Sequence, residues 1–153
     1  MNSSLSPALL LPLRLYAGYS LFRAGLSKAM SGWLSQPKLS STISGWLSQG
    51  KPYSFYASFL RDFVLPHHQL FSFLVVGGEL AVGLALFVGL FTRPAAFFGL
   101  VMVLSFLFGQ GEPFGANVTC AFAMIMLTLL LASPGRVLGL DAALAGRVPR
   151  WLS

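Results

Sequence analysis

Residues 114–133 run for twenty positions without a charged side chain, between Pro113 and Pro134. At 1.5 Å per residue, a helix of that length is about 30 Å long, which matches the hydrocarbon thickness of a bilayer. The rest of the chain has the same character, with 56% apolar and 9% charged residues in 153. A domain this small keeps a large share of its surface outside, so it has no room to hide that much apolar area from water. Lipid must cover the remainder. The sequence therefore predicts a single all-α domain, an integral membrane four-helix bundle with spans at about 8–30, 69–91, 94–110 and 114–133.

The spans are not equally clean. The first contains Arg14, Arg23 and Lys28, and a helix lying along the membrane surface is the competing reading for it. The second is apolar except for Glu79, and Thr92, Arg93 and Pro94 read as a tight turn into the third. The third ends near Gly109 and is short for a bilayer, about 24 Å. Between the first two spans, segment 31–66 is too long for a simple connector, and SGWLSQ occurs in it twice, at 31–36 and 44–49. Trp33, Trp46, Tyr53, Phe55, Tyr56 and Phe59 are rings that favour headgroup depth, which predicts an interfacial helical segment. Tyr53, Tyr56, Leu60, Phe63 and Val64 recur at helical spacing, and Pro66 stops that helix. Such a segment either packs on the end of the bundle or covers a substrate site. A polar tail, 134–153, completes the chain.

Ten Lys and Arg against four acids give a net charge of +6. This suits anionic lipid headgroups, and membrane lipids are an expected partner. No basic patch interrupts the apolar runs, so nucleic acid is not expected. Four spans put both termini on one side with Arg93, Arg136, Arg147 and Arg150. Lys38, Lys51 and Arg61 lie opposite, offset by Asp62 and Glu112, and the positive-inside bias favours cytoplasmic termini. No removable signal peptide is read, so the first helix is expected to stay as an anchor. Cys120 is the single cysteine, which excludes an internal disulfide, a CxxC pair and a thiolate zinc site. His67 and His68 are adjacent and lack the i, i+4 spacing for joint ligation. They read as interfacial, and no metal or haem is predicted. The five methionines read as packing.

Helical geometry sorts the polar residues onto faces. Arg14, Gly18, Leu21, Gly25 and Lys28 fall within about 40° of one line, with Arg23 opposite. On the second span Ser72, Glu79, Gly83, Leu86 and Leu90 share a face, while Gly77, Ala81, Ala85 and Gly89 form a small-residue stripe that would let another backbone approach. Glu79 lies about 15 Å deep, where a bare carboxylate is costly and must be protonated, hydrogen-bonded or paired. Arg14 is the preferred partner, about 5 Å away in depth when the spans are counted from opposite ends. Such a pair either fixes helix packing or lines a polar pocket for a quinone headgroup or a proton relay. On the fourth span Asn117, Ala121, Met124 and Thr128 share one side. Asn117 and Thr128 either complete that pocket or bond between helices.

Three stretches, taken in order, carry a family resemblance: LRLYAGYSLFRAGLSK at 13–28, GGELAVGLALFVGLFTRPAA at 77–96, and GANVTCAFAM leading to SPGRVLGLDAAL at 133–144. Together they resemble the DoxX family and its relative DoxD, the small subunit of thiosulfate:quinone oxidoreductase. Arg14, Gly18, Gly25, Lys28, Glu79, Arg93, Gly135, Arg136 and Asp141 match the family pattern. Arg23 and the doubled SGWLSQ do not. The resemblance implies a four-helix bundle in a prokaryotic inner membrane and a place beside redox enzymes that exchange electrons with quinones. The leading expectation is a small membrane subunit of a redox or electron-transfer complex, with a quinone or lipid pocket and no catalysis of its own. The other expectations are a quinone-reducing subunit of a thiosulfate-oxidising enzyme, a structural accessory subunit, and a proton path around Glu79. The transport reading has neither a broken-helix pair nor an inverted repeat in its favour.

Overall fold

A computed structural model describes residues 7–111, 117–132 and 139–143. Among these residues every regular element is helical. A 3-10 turn, Pro7–Leu10, leads into α1, Leu11–Met30. Helices α2, Lys38–Ser48, and α3, Ser54–Phe59, follow, and α3 runs on into a π-type turn, Leu60–Val64, where the Leu65 N–H reaches the Leu60 carbonyl at 2.9 Å. Helices α4, His68–Val88, α5, Thr92–Gln110, α6, Val118–Ala132, and the short α7, Leu140–Ala143, complete the order.

Two helices, α4 with 21 residues and α5 with 19, are long and apolar enough to cross a membrane. Helix α6 is apolar over 15 residues, and α1 stays helical for 20 in spite of Arg14, Arg23 and Lys28. Large apolar side chains, among them Leu70, Phe73, Leu74, Leu84 and Phe87, stand exposed along α4. Water would penalise so continuous a surface, whereas lipid tails match it.

Between α4 and α5 the chain turns earlier than its prolines suggest. Gly89 is left-handed (φ 70°), its N–H bonds to Leu86 O at 3.3 Å, and Leu90 N–H bonds to Ala85 O at 2.9 Å, the paired closure of a Schellman end. The turn is therefore made by Gly89, Leu90 and Phe91, not by Thr92, Arg93 and Pro94. Thr92 and Arg93 are already helical, and Pro94 sits in the first turn, where a missing N–H costs nothing. At about 28 Å, α5 is not a short span.

Helix α1 lies along α4, α4 against α5, α5 against α6, and α6 touches α1. Leu21, Leu86, Ala96 and Met126, one from each of these helices, belong to a common buried core. The α1–α4 seam is a backbone contact. A Cβ on Gly18 would lie 2.5 Å from Phe87 N and 2.9 Å from Gly83 O, and a Cβ on Gly83 would collide with Phe22 N. The small-residue stripe lies away from this seam, and of its members Gly89 meets another backbone, at Gly139, while Ala85 packs on the core. Gly77 and Ala81 are exposed, and nothing lies within 4 Å of a Gly77 Cβ. The face that packs on α1 is instead Ser72, Val76, Glu79, Gly83 and Leu86, all buried and spaced by three or four.

Segment 31–66 forms a second, smaller core. Leu39 and Ile43 of α2 pack with Leu60 and Val64, and Trp33, Trp46, Tyr56 and Phe71 lean on them. Tyr53 N–H bonds to Phe108 O at 3.1 Å, and Gln69 Nε2 donates to Leu34 O at 2.7 Å. These bonds seat the segment on the C-terminal end of α5 and the N-terminal end of α4. Gly111 (φ 63°) packs its backbone directly against the Lys51 carbonyl.

Candidate functional site

Gly25 lets α1 and α4 approach, because a Cβ there would meet Glu79 Cβ and Leu80 N, both at 3.0 Å. One turn further along α1, Lys28 comes level with Glu79. Lys28 Nζ donates to Glu79 Oε1 at 2.6 Å and to Oε2 at 2.8 Å. The Glu79 side chain is 3% exposed and that of Lys28 is 21% exposed. The ammonium also lies 5.6 Å from the Trp33 ring centre and 5.5 Å from that of Phe106, within cation–π range.

This pair opens into a cavity of about 390 Å³ walled by Trp33, Trp46, Phe106 and Phe122, with Thr42, Gln110 and Thr119 as further polar groups. Its size lies within the range of small-molecule sites, with a few polar groups converging among aromatic walls. Trp46 rests on Gly109, where a Cβ would stand 2.9 Å from Cζ3, and Tyr56 borders the same glycine. Burial pushes the Tyr56 phenol above its ordinary pKa, while its hydrogen bond with Ser105 acts in the opposite direction. The phenol therefore stays neutral.

Glu79 is paired with Lys28 and not with Arg14. Counting both spans inward from their ends took the helices to end level, whereas the Gly18–Gly83 contact sets the register and brings Arg14 beside Gly89. There the buried Arg14 guanidinium lies 2.8 Å from where a Gly89 Cβ would be and feels the charge of Asp141. Asp141 is itself buried. Its Oδ1 accepts from Phe91 N–H at 2.8 Å, its Oδ2 from Thr92 N–H at 3.0 Å, and its own N–H donates to Gly89 O at 2.8 Å. Arg14 and Asp141 thus both sit around the Gly89 turn, within electrostatic reach of each other, toward the opposite end of α1 from the cavity. Arg93 is half-buried in the first turn of α5, and Arg23 is exposed on the outer face of α1.

The polar seam on α6 does not line the cavity. Thr128 is exposed and donates back to Met124 O at 2.8 Å, while Ala121 and Met124 are also exposed. Asn117 Oδ1 accepts Cys120 N–H at 2.6 Å, closing the first turn of α6. Met126 explains the orientation: its sulfur would lie 2.9 Å from a Gly99 Cβ, so α6 turns Ala123, Met126 and Leu129 inward and the seam outward. Val118, Thr119 and Phe122 are what α6 contributes to the cavity. His67 and His68 each place Nδ1 near a carbonyl of their own segment, Phe63 O at 2.9 Å and Leu65 O at 3.1 Å. Gly135 and Arg136 lie outside the described residues.

Sequence reasoning named Lys28 as a motif residue without assigning it to the pocket, and it assigned no pocket role to Trp33, Trp46, Phe106, Gln110 or Thr119. The signal for Lys28 was present, since it shares the Gly25 line that faces the helix carrying Glu79. For Trp33 and Trp46 the signal was the repeated hexapeptide.

The class that this arrangement defines is a small all-helical membrane protein with a buried ion pair inside its helix packing. More particularly, the chain belongs to the DoxX family, a family of membrane proteins: the DoxX family model matches residues 9–111, from α1 through α5. That match includes Lys28, Glu79 and the whole of segment 31–66. No curated protein and no solved structure matches the chain.

Proposed function

We propose that α1, α4, α5 and α6 form a four-helix transmembrane bundle in a prokaryotic inner membrane, with cytoplasmic termini. In this reading the chain is a small integral subunit of a redox or electron-transfer complex, and its cavity receives a quinone headgroup. The observation that carries the reading is the Lys28–Glu79 pair, buried among helices yet open to an aromatic cavity. A pair serving only to lock α1 on α4 has no need of a cavity, and the Gly18–Gly83 contact already locks them.

The residues fit such a ligand. Two of the three Lys28 ammonium protons go to Glu79, and the third is left to donate to a carbonyl oxygen. Gln110 and the Thr119 hydroxyl supply further donors, while the Thr42 hydroxyl already donates to Lys38 O at 2.8 Å and offers a ligand only its lone pairs. A bound quinone would supply two-electron redox chemistry, for which the electrons come from a partner protein. The chain holds and orients and is not an enzyme alone.

The test is purification from its native membrane in mild detergent. A larger redox partner and bound quinone should accompany the chain, and the quinone should be lost from Glu79→Gln while the helices remain folded by circular dichroism. A partner complex fully active without this chain would sink the proposal.

A further inference from the structure

The hexapeptide SGWLSQ occurs twice, and its third residue reaches the same cavity both times. The two copies do not share a conformation. In the first, Gly32 is left-handed (φ 87°), and the turn carries Trp33 back over Lys28, with Trp33 N–H bonded to Lys28 O at 3.2 Å. In the second, Gly45 and Trp46 are helical, within α2. Trp33 is therefore anchored on the α1 side by the Lys28 ammonium, and Trp46 on the α5 side by Gly109. Neither indole is fully buried, although Leu39, Ile43, Leu60 and Val64 beside them are. Indoles needed only to fill that small core would be buried with it.

We infer that Trp33 and Trp46 are the ring-contacting walls of the cavity, a two-sided aromatic clamp for the planar ring of a quinone. The inference rests on the quinone reading above. The charge balance favours a neutral ring over an anionic headgroup, because both Glu79 oxygens already hold Lys28 and the pair carries no net charge. A flat ring with carbonyl acceptors uses indole faces and one ammonium proton. A phosphate would need a cation of its own.

The experiment uses the full chain in nanodiscs, in a Trp151→Phe background so that tryptophan emission reports on Trp33 and Trp46 alone, with ubiquinone-1 as probe. Saturable quenching is expected, and calorimetry should return the same Kd. Trp33→Leu and Trp46→Leu should each weaken binding by about tenfold, with Trp33→Phe and Trp46→Phe recovering most of it. Leu39→Ala, which loosens the small core without lining the cavity, should weaken it far less. Unchanged affinity in both Leu variants alongside lost binding in Lys28→Met would overturn the clamp and leave the quinone site standing. Equal losses in Leu39→Ala and the Leu variants would reduce the indoles to packing and overturn it too. An absence of saturable binding in the parent protein would remove the quinone reading and the clamp together. Displacement of the probe by equimolar phosphatidylglycerol would make the cavity a lipid site and overturn both.

Discussion

Gly83 shows how much one missing side chain does in this protein. Its Cα faces the Phe22 backbone, and backbone in the middle of two helices cannot step aside. Gly83→Val should therefore push α1 from α4 and destabilise the protein by about 1–3 kcal/mol, the usual cost of overpacking, read as a lowered thermal midpoint in detergent. Gly77→Ala, at a site where a Cβ meets nothing, should leave the midpoint unchanged or raise it slightly. Equal effects at the two positions would mean that the glycine seam does not carry the contact. The chemistry of Glu79 was legible from the sequence at this scale, since a carboxylate so deep in an apolar run demands a partner. Which cation supplies it was not. Lys28 and Arg14 lie on the same α1 line, and a face alone does not choose between them.

The elements were legible as helices almost throughout, and their ends followed the local signals of Gly89 and Pro66 more closely than that of Pro94. Helix α5 also depends on a group far along the chain. Both oxygens of Asp141 accept N–H groups at its start, where the helix dipole favours a negative charge, and Arg14 stands beside them. Asp141→Asn should lower the thermal midpoint, because an amide nitrogen cannot accept one of the two N–H groups that the carboxylate holds and the negative charge felt by Arg14 is lost, a cost of about 1.5–3 kcal/mol for a hydrogen bond to a charged group. Adding Arg14→Met should recover part of that loss, so that the double variant melts above Asp141→Asn. A double variant at the additive sum of the two losses would show that the residues are not coupled.

At the scale of the whole molecule the two polar clusters lie at different levels of the bundle, one beside the middle of α4 and the other at its C-terminal end. The Lys28–Glu79 cavity sits under segment 31–66, and the Arg14–Asp141 cluster sits at the α4–α5 turn. The proposed four spans and cytoplasmic termini would put that segment outside and the turn on the cytoplasmic side. In a Cys120→Ser background, a membrane-impermeant maleimide added to intact spheroplasts should label Ser48→Cys in α2 and spare Phe91→Cys in the turn, both exposed positions. The reverse pattern would invert the orientation. Labelling of both from the same side would break the four-span reading.

The sequence by itself determined the helical class, the membrane as solvent, the inward line of α1, the outward Arg23, and a deep carboxylate that needed a cation. It did so because periodicity records the angle of each side chain about its helix axis, and hydropathy records which solvent that side meets. Tertiary structure decided how far α1 slides along α4 and how α6 is rotated. Nothing in a single helix encodes either quantity. The slide depends on where two glycines meet across a seam, Gly18 on Gly83. The rotation depends on Met126 finding the space above Gly99. Those two contacts give Glu79 to Lys28, bring Arg14 to the Gly89 turn and turn Thr128 to the outer surface.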